Sequence, residues 1–268
     1  MTTLVYGPVE LHVEAPVATV RLCDEAGSNR FTPELRAGLI AALRAAAADP
    51  AVRAVVLEGA PGVFSAGGTT ERMLGTHEQR VVELWEMMRA IADCPVPVIA
   101  AVQGHALGGG LLLALYCDVA VLNERSRYAM NFLAFGFTSI LGASHMLPAA
   151  FGRALGAEMI YTSRSYTGRE LRDRGAGMKI TAPEAVAAEA HRIALQAAQA
   201  PRPAMELMKS QLVRTVLAEA EAALEREIPD HEETILGEEA RRRIRGLHGQ
   251  RLAGAAGGPA RDDRGAAA

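Results

Sequence analysis

The stretch Val98-Ile99-Ala100-Ala101-Val102-Gln103-Gly104-His105-Ala106-Leu107-Gly108-Gly109-Gly110 decides how the rest of the chain is read. Its first five residues are apolar without alternation, the pattern of a strand buried on both faces. Gln103-Gly104 breaks the run, and Gly108 opens a second apolar segment that ends near Tyr116. Residues 98–122 together approach the length of a membrane span. Gln103, His105, Asp118 and three consecutive glycines interrupt them, so the expectation is a buried strand, a turn and a buried helix. Unpaired N–H groups and the positive end of the dipole gather at a helix start. Glycines there let a ligand approach the backbone closely. An oxyanion would be stabilised at such a junction, often a large catalytic contribution. A phosphate cradle is the rival, but the Gly-Lys-Ser/Thr ending of a P-loop is absent and no lysine is near.

Upstream, Phe64-Ser65-Ala66-Gly67-Gly68-Thr69-Thr70 is a second glycine-rich segment. It follows a strand expected over 52–57 and precedes a helix expected over 77–92. By itself it reads equally well as an ordinary turn. The N-terminal part alternates over 5–23 around Ala15-Pro16, as a β-hairpin does. Thr32-Pro33-Glu34-Leu35 is a helix start, with Thr as N-cap and Pro in the first turn. Short strands are expected over 118–122 and 128–131. After Gly142 the pattern is helical, with segments expected near 143–150, 155–162, 167–174, 183–199, 202–225 and 230–244. No sequence repeat of fixed period is evident. The tail from Leu252 lacks periodicity and is expected to be disordered. Strand–helix alternation followed by a helical final third points to one α/β core with a helical appendage.

The 268 residues carry a formal charge of −3, from 28 Lys+Arg against 31 Asp+Glu, which argues against a nucleic-acid footprint. The cysteines are Cys23, Cys94 and Cys117, an odd number without a CxxC pair, so neither a disulfide framework nor a zinc site is expected. A reducing cytoplasm fits this, and the N-terminus lacks the apolar core of a signal peptide. No HxxxH or HExxH spacing occurs, and no metal is expected.

The order and spacing of the two glycine-rich segments resemble the crotonase (enoyl-CoA hydratase/isomerase) superfamily over roughly residues 5 to 249. Asp118, Gly136, Gly142 and Tyr166-Thr167-Gly168-Arg169-Glu170-Leu171 fall where that family has landmarks. The resemblance implies an α/β fold, a spiral of ββα turns over 1–200, with a C-terminal helical trimerisation subdomain over 201–250 and a tail over 251–268. It implies an oxyanion hole for an acyl thioester, with one N–H from Ala66 and the other from Gly109.

Hydratases of the superfamily carry a Glu three residues after the middle glycine and another about twenty residues later. Leu112 and Phe132 stand at those places. Neither can activate water or carry a proton. Asp118 or Glu124 would have to substitute, the first at a landmark position and the second in an expected exposed turn. Decarboxylation of a glutaconyl thioester needs no base, since the electrons of the departing carboxylate flow through the double bond to the thioester oxygen. It needs an oxyanion hole, an apolar wall and an acid.

Gly67-Gly68-Thr69-Thr70-Glu71, Gly104-His105, Asn131-Phe132, Phe135-Gly136-Phe137-Thr138 and Ile244-Arg245-Gly246-Leu247-His248-Gly249 resemble the PksI-type decarboxylases of polyketide β-branching. That resemblance implies a 3-methylglutaconyl group on an acyl carrier protein, converted to 3-methylcrotonyl. It implies no cofactor beyond the carrier's phosphopantetheine, a homotrimer or hexamer, and neither nucleic acid nor membrane as partner. His231, in Glu227-Ile228-Pro229-Asp230-His231-Glu232-Glu233, matches the family's acid, and Asp230 and Glu232 are placed to favour its charged form. Arg80, or Arg72, stands where a cationic partner for the substrate carboxylate belongs. Gly67, Gly68, Thr69, Arg72, Leu112, Phe132 and Phe137 are implied substrate contacts. His105 is expected to pack under the glycine run and His145 to face the site, with His12, His77, His191 and His248 as surface or structural residues. A hydratase or isomerase with relocated acid–base groups, or a non-catalytic binding subunit of the same fold, remains the alternative.

Overall fold

A computed structural model describes residues 2–69 and 77–255, the side chains of 77–80 and 247–255 excepted. The chain opens with three antiparallel strands, β1 (Thr2–Tyr6), β2 (Val9–Glu14) and β3 (Val17–Leu22), one more than the expected hairpin. Helix α1 (Pro33–Ala48) starts as Thr32 predicts: its hydroxyl accepts the Leu35 N–H at 3.2 Å. Its buried face is Leu35, Leu39, Ala42, Leu43 and Ala46, the spacing of an amphipathic helix.

Strand β4 (Ala54–Glu58) is followed by β5 (Val63–Ser65), a short strand inside what the sequence presents as loop. After the described part of α2 (His77–Ala92) come β6 (Val98–Val102), β7 (His105–Leu107) and α3 (Gly109–Leu115). Strands β8 (Val119–Asn123) and β9 (Arg127–Ala129) follow. The 98–122 stretch is therefore a buried strand, a turn, a buried helix and a further strand. No helix of the described residues is long and apolar enough to cross a membrane. The remaining elements are α4 (Ala143–Phe151), α5 (Arg153–Thr162), β10 (Tyr166–Thr167), α6 (Gly168–Asp173), β11 (Lys179–Thr181), α7 (Val186–Ala197), α8 (Arg202–Ile235) and α9 (Glu238–Ala255).

The strands form a seven-stranded sheet, β1-β2-β3-β4-β6-β8-β11, and a four-stranded one, β10-β9-β7-β5. Each of the pairs β4/β5, β6/β7 and β8/β9 sends its first strand to the large sheet and its second to the small one. The backbone thus winds a repeated ββ turn that the sequence does not repeat in letters. Pairing is parallel from β3 through β11. Strand β6 lies between β4 and β8, and all five of its residues are buried. Ile99 and Ala101 pack with Val186, Ala190 and Ala194 of α7, while Val98, Ala100 and Val102 enter the main core. Two covered faces explain the unbroken apolar run.

The C-terminal third differs most from expectation. Residues 202–235 form one 34-residue helix through Pro229 instead of two helices. Proline removes a single backbone donor. Its would-be acceptor, the carbonyl of Glu225, belongs to an exposed turn where water can serve it. The break comes at Gly237, whose N–H closes on Thr234 O at 3.2 Å. Helix α9 runs to Ala255, beyond the expected start of the tail, and residues 256–268 lie outside the described residues.

Asp118 has a clear structural role. Its Oδ2 accepts the Val98 N–H at 2.7 Å and the Lys209 ammonium at 2.7 Å. Lys209 is buried and donates further to Val96 O at 3.1 Å, so α8 is pinned to the entrance of β6. Asp118→Ala leaves a buried ammonium without its counter-charge and is expected to cost about 3 kcal/mol. Urea unfolding measures this, and a cost below about 1 kcal/mol, the worth of an exposed pair, would reduce the contact to a surface one.

Candidate active site

A cleft opens between the glycine-rich segments, α2 and α8. Its floor carries Gly68, Thr69 and Gly109. Its walls are Phe31, Val81 and Leu84 together with Phe132, Phe137, Ile140, Leu141 and Ile235. His231 is the one titratable side chain among its described lining residues.

The two glycine-rich segments meet closely. Gly67 has φ +73°, and a Cβ there would stand 2.9 Å from Gly109 N and 3.1 Å from Gly110 N. A Cβ on Gly110 would stand 2.0 Å from Ser65 O. Only residues without a Cβ allow this contact.

Residues 28–31 hold the first segment in shape. Asn29, fully buried, donates to Phe64 O at 3.1 Å, and its own carbonyl accepts the Ser65 hydroxyl at 2.7 Å. Ser65 Oγ accepts the Gly67 N–H at 3.1 Å. Arg30 donates to Gly68 O at 3.0 Å. The Phe31 N–H donates to Gly67 O at 2.8 Å. This last bond sits on the peptide whose other end is the Gly68 N–H, so it orients and polarises that donor.

These bonds correct the expected hole. The Ala66 N–H donates to Ser28 O at 3.0 Å and is committed to the scaffold. No hydrogen bond among the described residues engages the N–H of Gly68 or Gly109, and both residues line the cleft. The available pair is Gly68 and Gly109. Which amide of Ser65-Ala66-Gly67-Gly68 remains open depends on a segment more than thirty residues upstream. A glycine at positive φ, which turns the next amide away from its predecessors, is the only local signal.

Leu112 is a second correction. It is fully buried in the main core and is not among the lining residues. Leu111, Leu112 and Leu113 are all buried because α3 has core around it. Phe132 and Phe137 do line the cleft, with ring centroids 5.7 Å apart. Gly67 lies beneath the floor rather than in it. Arg72 lies outside the described residues, as does the side chain of Arg80. Sequence reasoning missed Phe31, Val81, Leu84, Ile140, Leu141 and Ile235. The spacing of Val81 and Leu84 on one face of α2 was the available signal.

His231 is 3% exposed and stands edge-on to Phe137, centroids 5.3 Å apart. Its Nδ1 is 2.7 Å from the carbonyl of Thr138. A carbonyl only accepts, so Nδ1 carries a proton in both the neutral and the charged ring. The proton that can be exchanged is on Nε2. The ring is thus oriented by Thr138, a contact the sequence did not suggest, while Asp230 is exposed.

Neither Asp118 nor Glu124, the candidates for relocated hydratase carboxylates, is among the described lining residues of the cleft. Asp118 is the structural anchor described above. Glu124 is tied to Arg172 at 3.1 Å and Arg169 at 3.4 Å, and those guanidinium groups hold its carboxyl below the usual range. His105 is exposed and accepts the Arg127 N–H at 3.0 Å rather than packing under the glycine run. His145 is half-buried and does not line the cleft. His191 contacts Glu58 at 3.3 Å and His12 contacts Glu10 at 3.0 Å.

The enoyl-CoA hydratase/isomerase family model matches residues 12–250. The chain belongs to this family. Within it, the chain is 33% identical over 248 residues to the bacillaene synthase decarboxylase PksI of Bacillus subtilis, covering 92% of this chain and all of that one. It is 34% identical over 204 residues to a putative enoyl-CoA hydratase of Thermus thermophilus, covering 74% of this chain and 80% of the relative. Among solved structures, a protein from a dehydratase/decarboxylase enzyme couple involved in polyketide β-branching superposes with a TM-score of 0.85 at 32% identity, over 92% of this chain and 100% of that one. The ECH2 decarboxylase domain of CurF from Lyngbya majuscula superposes with a TM-score of 0.82 at 31% identity, over 90% and 99% of the two chains. The PksI relative and the two solved structures each cover 90–92% of the present chain.

Gly67→Ala places a Cβ between the two segments at a positive φ. It is expected to cost about 2 kcal/mol. Urea unfolding reads the cost, and full stability in the variant would mean that the contact has slack.

Proposed function

We propose that the protein is a carbon–carbon lyase that decarboxylates a 3-methylglutaconyl thioester held on an acyl carrier protein, giving 3-methylcrotonyl-carrier protein. The observation that carries this is the chemistry of the cleft: two backbone donors at Gly68 and Gly109, aromatic and aliphatic walls, and His231 as the one titratable group among the described lining residues. Hydration asks for carboxylates that activate water, and Phe132 stands at one of the two places where a hydratase keeps them. The likeness to the PksI and CurF decarboxylases supports the same reaction.

The steps follow from the groups present. The thioester oxygen accepts from the Gly68 and Gly109 N–H groups. Phe132 and Phe137 take the substrate carboxylate out of water, which raises its energy relative to the dispersed charge that follows. The bond to CO₂ breaks, and its electron pair moves through the double bond to the thioester oxygen, forming a dienolate. The two amides hold that charge, each worth roughly 10²- to 10³-fold in rate by analogy with other oxyanion holes. Charged His231 then gives its Nε2 proton to carbon and is left neutral with the proton on Nδ1, the form that Thr138 O already stabilises. Arg80 or Arg72 serves as the cationic partner of the substrate carboxylate before it leaves.

Phosphopantetheine comes with the carrier, and no other cofactor enters these steps. Exposed Leu207, Met208, Leu212 and Val216 on α8 support assembly into a trimer or hexamer through the C-terminal helices.

Mass spectrometry of 3-methylglutaconyl-carrier protein incubated with the enzyme tests the reading. The expected product has lost CO₂. A hydrated product, a migrated double bond at unchanged mass, or unreacted substrate would favour a hydratase, an isomerase or a binding subunit respectively. His231→Ala is expected to lower turnover by roughly 10²-fold or more, the usual contribution of a positioned acid, while the assembly measured by light scattering persists. Wild-type turnover in that variant would remove His231 from the mechanism.

A further inference from the structure

The wall segment 138–144 is held to α8 by a buried carboxylate that the proposed steps do not use. Glu227 is 7% exposed and lies one helical turn before His231, on the same face of α8. Its Oε2 accepts the Gly142 N–H at 2.8 Å, and its Oε1 accepts the Ser144 N–H at 2.7 Å and the Ser139 hydroxyl at 3.3 Å. Gly142 and Ser144 belong to the first turn of α4, which has no side-chain cap of its own. Glu227 therefore caps α4 from another helix, and a negative group suits that end.

The segment needs this support. Leu141 has φ +64° and Gly142 φ +70°. Leucine in the left-handed region costs roughly 1 kcal/mol or more and persists only where its surroundings over-determine it. Tyr116 supplies a second brace, its hydroxyl donating to Leu141 O at 2.9 Å. Burial, with the nearby Glu227 charge adding to it, pushes the Tyr116 hydroxyl far above its ordinary pKa, so it remains a donor. At the other end of the segment, the Thr138 N–H donates to Thr234 Oγ1 at 3.1 Å and Thr138 O receives His231 Nδ1–H at 2.7 Å. Glu227, His231 and Thr234 thus grip both ends of one strained stretch, and Ile140 and Leu141 within it line the cleft.

We infer that Glu227 is a positioning residue: by fixing 139–144 it holds the Thr138 carbonyl where it locks His231 with its proton on Nδ1 and directs exchange to Nε2. Glu227 touches neither substrate nor reacting atoms and acts through Thr138 and His231. The inference rests on the proposed role of His231 for its catalytic meaning, but the tautomer it predicts is a property of the resting protein.

The test reads that tautomer directly. Long-range ¹⁵N–¹H correlation spectra of the imidazoles, assigned with His231→Ala, are expected to show His231 with its proton on Nδ1 in the wild type. Glu227→Gln keeps size and one carbonyl acceptor but loses the second oxygen and the charge, and Glu227→Ala removes all three contacts. Both are expected to show a mixture of tautomers. If the alanine variant does not fold, the glutamine variant carries the measurement. Turnover adds a cycle: Glu227→Gln should lower kcat roughly tenfold with a smaller change in KM, and less than about twofold when His231 is already alanine.

An unchanged tautomer in a folded Glu227 variant, or the same fold-loss with and without His231, would overturn the inference and leave Glu227 with stability alone. A tautomer shift in a protein that releases no CO₂ would instead overturn the decarboxylase reading and leave the positioning role standing.

Discussion

Gly67 and the start of α3 lie so close that a Cβ on Gly67 would stand 2.9 Å from Gly109 N, and the site is organised around that contact. It brings the ends of two successive ββ turns together and sets the Gly68 and Gly109 amides at one floor. The contact requires glycine on the β5 side and again at Gly110. It also requires an outside scaffold, because a glycine-rich loop has no side chains of its own to define its shape. Residues 28–31 supply this through Asn29, Arg30 and the backbone of Phe31. The bond from the Phe31 N–H to Gly67 O is the most direct link, since it acts on the same peptide as the Gly68 donor.

Helix α8 is the second element on which the chemistry depends. Near its first turns Lys209 pairs with Asp118 and fastens the helix to β6, the central strand. Near its end, Glu227, His231 and Ile235 face the cleft and its wall. A kink at Pro229 would have swung His231 away from Thr138. The continuous helix keeps the charge anchor, the loop clamp and the proposed acid on one rigid body.

The cleft is unbalanced in polarity, and this narrows its chemistry. Among its described lining residues the donors are the Gly68 and Gly109 amides, Thr69 and His231, and the walls include Phe132, Phe137, Ile140 and Leu141. Such a site stabilises negative charge on an oxygen and strips water from whatever adjoins it. A leaving carboxylate benefits from both effects, whereas addition of water benefits from only the first.

The sequence by itself determined the buried strand of 98–102, the capped start of α1 and the two glycine-rich segments, and its family resemblance pointed to Gly109, Phe132, Phe137 and His231, all of which line the cleft. Those features rest on local periodicity, on residues with special backbone freedom, and on motifs short enough to read as letters. Only the tertiary structure decided that Ala66 spends its N–H on Ser28 and leaves Gly68 as the open donor, that Leu112 belongs to the core, and that the Thr138 carbonyl engages Nδ1 of His231. Each of these is a question of which partner satisfies a backbone group or side chain. The partners lie tens of residues apart along the chain, where no periodicity connects them.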